Sequence, residues 1–232
     1  MRIDRFVRNN TTYNQKEVRR LMAQSLVKAD GEVIDNARFQ ITPFTKVELD
    51  NKILQHQEAY YLMLYKPKGC LSATKDDVHP TVLDLIDTPY KQQLHIGGRL
   101  DFNTTGLMLL TNNGKWSQKI SASTEKKPKV YYVETEKAID DKYCKKFEQG
   151  VYFSREDMTT HPAQLQIIAE KKARLTIYEG RYHQVKRMFG FFDNKVTALH
   201  RESMDKIILD PHLQPGEYRT LTQDEIYSVA NS

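Results

Sequence analysis

The chain has 232 residues, 39% of them apolar, and a formal charge of +5. That length accommodates one medium domain and a small one around an ordinary globular core, and the positive balance favours an anionic partner. No run approaches the ~20 apolar residues of a membrane span, and MRIDRFVRNN lacks the apolar core of a signal peptide. Cys70 and Cys144 stand far apart without ligand spacing, which argues against a metal cluster and suits a reducing, cytoplasmic setting.

Residues 1–55 read as a separate small module, with ten Lys/Arg against seven Asp/Glu. Asn14 followed by Glu17 predicts a capping box. Beyond it Val18, Leu21, Met22 and Ser25 share one helical face, while Lys16, Arg19 and Arg20 point elsewhere. Val27 to Val33 reads as a hairpin turned by Asp30-Gly31. The polar, aperiodic stretch Asp50 to Glu58 is assigned as the linker, so that 56–232 form the larger domain.

Tyr60 to Tyr65 predicts an apolar strand, broken by Lys66-Pro67-Lys68-Gly69. A second short strand is expected at Cys70 to Thr74 and a short helix at Thr81 to Leu85. The stretch His95 to Gly114, HIGGRLDFNTTGLMLLTNNG, then combines a glycine-flanked loop, the apolar run Leu107 to Leu110 and a closing turn. Asp101 sits in that loop, where a lone Asp commonly makes an Asx-turn toward a residue such as Thr104. A calcium loop beginning Asp101, Asn103, Thr105 fails, because Asn112 stands where the bidentate Glu belongs.

Lys115 to Ser121 reads as a helix with Trp116 and Ile120 on one face. Lys119, Lys126, Lys127 and Lys129 form a basic cluster, either a solvated loop or a guide for an anionic backbone. A strand begins at Lys129, and Asp140 to Gln149 reads as a helix stopped by Gly150. Ala163 to Ala169 and Ala173 to Tyr178 read as strands around a charged turn. A helix is expected from His183 to Gly190, and a strand from Asn194 to His200.

Four motifs now stand in order: KPKG (66–69), GRLDFNTTGLMLLTNNG (98–114), EGRYHQVKRM (179–188) and LHRE (199–202). Together with the tail PGEYRTLTQDEIYSV they resemble the pseudouridine synthases that modify RNA, in the ribosomal small-subunit synthase A branch, over essentially the whole chain. The first 55 residues resemble the S4 RNA-binding domain, departing from it at Ser25, where a Gly commonly ends the second helix. The resemblance implies an α+β fold: a catalytic domain with a mixed, largely antiparallel sheet, plus a small S4-like α/β module.

It also implies roles. Asp101 is the catalytic carboxylate, Lys186 its basic partner (some relatives place Arg there), and Tyr131 with Leu199 would hold the uracil. Arg99, Arg181, His183, Gln184, Arg187 and Arg201 are the implied substrate contacts. Arg2, Arg5, Arg19, Arg20, Lys28, Lys66 and Lys68 are the implied phosphate contacts. Asn113 replaces a frequent acidic residue of the motif.

Pseudouridine formation breaks the N-glycosidic bond, turns the uracil and joins its C5 to ribose C1′. The chemistry keeps every atom, so no cofactor and no metal is expected. It needs an ionised carboxylate in a pocket for a flipped base. Asp101 could attack C1′, attack C6, or take the 2′ proton, and the sequence does not choose. The expected partner is small-subunit ribosomal RNA, naked or in a precursor particle with ribosomal proteins, met by a monomer away from membranes. Three other readings are a synthase for large-subunit RNA, a non-catalytic RNA-binding assembly factor, and a glycosidase that would release free uracil.

Overall fold

The structure is a computed structural model that describes residues 1–121 and 127–230. Its chain divides into two compact units, Met1–Ala59 and Tyr60–Ser232. In the first, helix α1 (Ile3–Asn9) and helix α2 (Gln15–Ala23) bury Ile3, Phe6, Val7, Val18 and Met22. The expected capping box starts α2: Asn14 Oδ1 accepts from the amides of Lys16 and Glu17, and Glu17 Oε2 accepts from the Asn14 amide at 2.7 Å. Ser25 lies beyond the helix rather than on its face. It adopts a left-handed φ of +59°, the conformation for which glycine is usual.

Strands β1 (Val27–Ala29), β2 (Glu32–Val33), β3 (Val47–Leu49) and β4 (Lys52–Gln55) form an antiparallel sheet in the order β2-β1-β3-β4. Asp30-Gly31 turns the first hairpin as expected. The region assigned as linker differs. Asp50 and Asn51 both have positive φ (+48° and +61°), so they form a tight hairpin turn and 52–55 become β4. The polarity that suggested a linker belongs to an edge strand, with only 56–59 left to connect the units.

The second unit is built on a nine-stranded sheet. In chain order it contains β5 (Tyr61–Lys66), β6 (His95–Ile96), β7 (Thr105–Thr111), α3 (Gly114–Ser121), β8 (Lys129–Thr135) and α4 (Asp141–Gln149). Then come the hairpin β9 (Tyr152–Phe153) and β10 (Met158–Thr159), β11 (Gln164–Ala169), β12 (Lys172–Ile177), α5 (Gln184–Gly190), β13 (Val196–Met204), β14 (Ile207–Ile208), β15 (Tyr218–Thr220) and α6 (Gln223–Ala230). The sheet order is β11-β12-β8-β13-β7-β5-β15, with β14 beside β13 and β6 beside β7. The β7–β13 pair is parallel and its neighbours are antiparallel, so the sheet is mixed and largely antiparallel.

Alternation distributes the apolar residues between two cores. Leu62, Leu64, Met108, Leu110 and Val133 pack on one side with Tyr143, Phe147 and Phe189, and Met63, Leu107 and Leu109 pack on the other with Trp116 and Ile120. Strands buried on both faces read as continuous apolar runs, which is why β5 and β7 are plain in the sequence.

Two local expectations differ from the structure. The stretch 70–74 is no strand, since Leu71 makes only an isolated bridge to Thr81. Residues 81–85 form a turn rather than a helix, fixed by Asp84 Oδ2 accepting from the Thr81 amide and hydroxyl. Of the basic cluster, Lys127 and Lys129 are buried, Lys127 against Asp205 at 3.4 Å, and so do not form a solvated loop; Lys126 lies outside the described residues.

Candidate active site

Asp101 lies on the loop between β6 and β7, and the backbone on both sides of it is held by side chains. Ser72 Oγ donates to the Leu100 carbonyl at 2.5 Å and accepts from the Leu100 amide at 3.0 Å. The Gly69 amide donates to the Phe102 carbonyl. Lys66, fully buried, donates to the carbonyls of Pro67, Phe102 and Thr104 at 2.9, 3.2 and 2.9 Å. Arg201, 1% exposed, donates to the carbonyls of Leu107, Gly98 and Arg99 at 2.8, 2.9 and 3.4 Å. Gly106 permits this packing: with φ +108°, a Cβ there would stand 2.3 Å from the Arg201 carbonyl oxygen.

The charge of Lys66 is costly in this position. Burial pushes its ammonium down to about 8, an effect that Cys70 and Asp101 oppose. Three donors on one ammonium match the three carbonyls of Pro67, Phe102 and Thr104.

A second loop, between β12 and α5, is organised by Glu179. Its buried carboxylate accepts from the His161 amide, Gln184 Nε2 and Arg181 Nε, each at 2.9 Å. Gln184 in turn accepts from the Arg181 amide at 3.0 Å. His183 takes a left-handed φ of +49° just before α5. This loop and the first turn of α5 bring Lys186 Nζ to 2.7 Å from Asp101 Oδ2, and His183 Nε2 to 3.5 Å from Asp101 Oδ1. The carboxylate is 26% exposed and so remains open to a ligand. Its own backbone carbonyl, not its side chain, meets the Thr104 amide, so the Asx-turn reading does not hold.

These groups line a cleft of about 900 Å³, large enough for a nucleotide. Tyr131 and Leu199 line it too, 7% and 8% exposed. They project from one face of the paired strands β8 and β13, where Arg201 opposes Tyr131 and Leu199 opposes Val133. Tyr131 and Leu199 thus give the cleft an apolar wall, while charged side chains, Asp101, Lys186, Arg99 and Arg181 among them, line the rest.

The cleft brings together Asp101, Lys186, Tyr131, Leu199, His183 and Gln184, with Arg99 and Arg181 also lining it. Arg201 lines it as well, but its guanidinium is committed to loop carbonyls, which makes it a positioning residue rather than the substrate contact expected. Lys66 likewise meets no surface phosphate, because it is sealed inside the loop; Lys68 beside it is exposed. Arg187 turns away, paired with Glu156 at 2.6 Å and lying over the Phe153 ring, so it ties α5 to the β9–β10 hairpin instead of meeting substrate. In the first unit Arg5, Arg19 and Arg20 are exposed, Arg2 pairs with Asp4, and Lys28 donates to Asn51.

Sequence reasoning misses Ser72 and Glu179 as site residues. Both act through backbone groups or intermediates; Ser72 lies just beyond KPKG and Glu179 opens EGRYHQVKRM, but neither position announces its partners. Asn113 also gains an account: it accepts from the Trp116 amide at the start of α3 and donates to the Tyr61 hydroxyl at 2.8 Å.

Residues 60–190 match the family model described as RNA pseudouridylate synthase. The chain is 52% identical to the ribosomal small subunit pseudouridine synthase A of Pseudomonas aeruginosa, over 99% of this chain and 100% of the relative. It is 43% identical to the protein of the same description from Escherichia coli K12, with the same coverage. A crystal structure of a pseudouridylate synthase superposes with a TM-score of 0.72 and 37% identity, covering 99% of both chains.

Proposed function

The chain belongs to the RNA pseudouridylate synthase family, and on that premise we propose that it converts a uridine of small-subunit (16S) ribosomal RNA to pseudouridine. The observation that carries this reading is the Asp101 carboxylate, fixed on a clamped loop 2.7 Å from Lys186 and facing a cleft that Tyr131 and Leu199 line. The Lys186 ammonium supplies the counter-charge for this partly buried carboxylate.

In this reading the target uridine flips into the cleft. Tyr131 and Leu199 hold the uracil, and Asp101 supplies the negative charge that breaks the N-glycosidic bond, as nucleophile or as base. The freed ring turns, C5 bonds to C1′, and the C5 proton leaves to solvent while N1 takes one up. Lys186, paired with the carboxylate, holds it close to the sugar. The small N-terminal unit, whose Arg5, Arg19 and Arg20 are exposed, would act as an S4-like module that contacts phosphates. No helix among the described residues is long and apolar enough to cross a membrane, and a monomer working in the cytoplasm on RNA, naked or in an assembling particle, fits this reading.

Incubation with a small-subunit RNA transcript, followed by carbodiimide mapping, tests the proposal. New adducts at one uridine are expected. Free uracil among the products would favour a glycosidase, and modification confined to large-subunit RNA would change the substrate.

A further inference from the structure

The two loops that meet at Asp101 each present an exposed aromatic ring at the cleft, and nothing in the chemistry above uses either one. Tyr182, next to His183, is 68% exposed and lines the cleft. Its ring stacks on the His183 ring with centroids 3.9 Å apart and planes 20° from parallel. Phe102, next to Asp101, is 36% exposed and lines the same cleft. It meets His79 edge to face at 5.4 Å, and Asp76 fixes His79 by accepting from its amide at 2.8 Å. Both rings are thus held in place without being covered.

We propose that Tyr182 and Phe102 are stacking sites for the two RNA bases on either side of the flipped uridine. The inference rests on the cleft being the site of pseudouridine formation. Extruding a base deprives its neighbours of a stacking partner, and an aromatic face at each lip replaces the missing one. Rings already fixed by their neighbours give up little freedom on binding, so the contact is efficient. The exposed side chain of Arg99 in the Asp101 loop, and that of Lys68 just after β5, supply positive charge for the adjoining phosphates. Purines, with the larger π-face, are the preferred occupants.

The test uses the full chain and a short RNA spanning the uridine mapped in the transcript, with 2-aminopurine at the preceding or the following position. Binding of the parent should quench the fluorophore at both positions. Tyr182→Ala should abolish quenching at one flank and Phe102→Ala at the other, each weakening RNA binding by roughly 5- to 150-fold. Tyr182→Phe, which keeps the ring face, should retain quenching, and the rate at saturating RNA should fall far less than the affinity in both Ala variants. Undiminished quenching in both Ala variants, or loss confined to the same flank, would overturn the proposal while leaving the active parent's assignment intact. A parent that forms no pseudouridine in the transcript would overturn the functional reading and this proposal with it.

Discussion

Lys186 Nζ stands 2.7 Å from Asp101 Oδ2, although Asp101 comes from the loop between β6 and β7 and Lys186 from the first turn of α5. Both side chains are about a third exposed or less, so the pair is shielded from water yet open to a ligand. Replacing Lys186 by Met should lower the single-turnover rate at saturating RNA by roughly 100-fold or more, as removal of a preorganised charge partner does elsewhere. Lys186→Arg should recover part of that loss, since the charge returns but the wider fork alters the geometry. A Met variant with the parental saturated rate and merely weaker binding would make Lys186 a phosphate grip instead.

Arg201 should behave as a structural staple. Arg201→Met leaves the carbonyls of Leu107, Gly98 and Arg99 without their donor, a loss of about 2–4 kcal/mol in unfolding free energy. Denaturant midpoints give the stability and single-turnover assays the rate, and both should fall. A stable variant with weakened RNA binding alone would restore Arg201 as a substrate contact.

Lys66 links stability to pH. Its folded-state ammonium titrates at about 8, below its ordinary 10.5, so between those values the unfolded chain binds the extra proton. Stability through this group therefore rises with pH across that window and is lowest below pH 8. Compared with Lys66→Met, the parent should gain up to about 3 kcal/mol between pH 7 and 10.5, measured by urea unfolding at each pH. A pH-independent difference would contradict the buried-ammonium assignment.

The basic face of the N-terminal unit should show in salt dependence. Joint replacement of Arg5, Arg19 and Arg20 by Ala should reduce the slope of log affinity against log salt by about 0.7–0.9 for each phosphate that the variant no longer neutralises. The exposed positions should leave folding unchanged. An unaltered slope, with parental affinity, would make this unit a cap without an RNA role.

Much of this architecture is legible because it is written in local signals. The Asn14–Glu17 box, the Asp30-Gly31 turn and the apolar run of β7 each act within a few residues, and each forms where expected. The hairpin at Asp50-Asn51 escapes a sequence reading, because a polar edge strand has the composition of a linker. Resemblance supplies the Asp101–Lys186 pairing, which no local pattern encodes. Charge alone misleads at Lys66 and Arg201: a basic residue in a motif looks like a contact for phosphate or substrate, and only tertiary structure reveals the carbonyls that accept its hydrogen bonds. Ser72 and Glu179 are silent for the same reason, since the Leu100 backbone and the His161 amide that they hold are brought close only by folding.

Asp101→Asn tests the central claim most directly, with small-subunit RNA carrying tritium at uracil C5. Joining C5 to C1′ expels the C5 hydrogen, so the parent should release tritium to water in proportion to the pseudouridine formed. The Asn variant is nearly isosteric and should fold and bind RNA as the parent does while releasing none above background. Tritium release from a pure Asn variant at a rate near the parent's would contradict the assignment of Asp101 as the group that carries the chemistry.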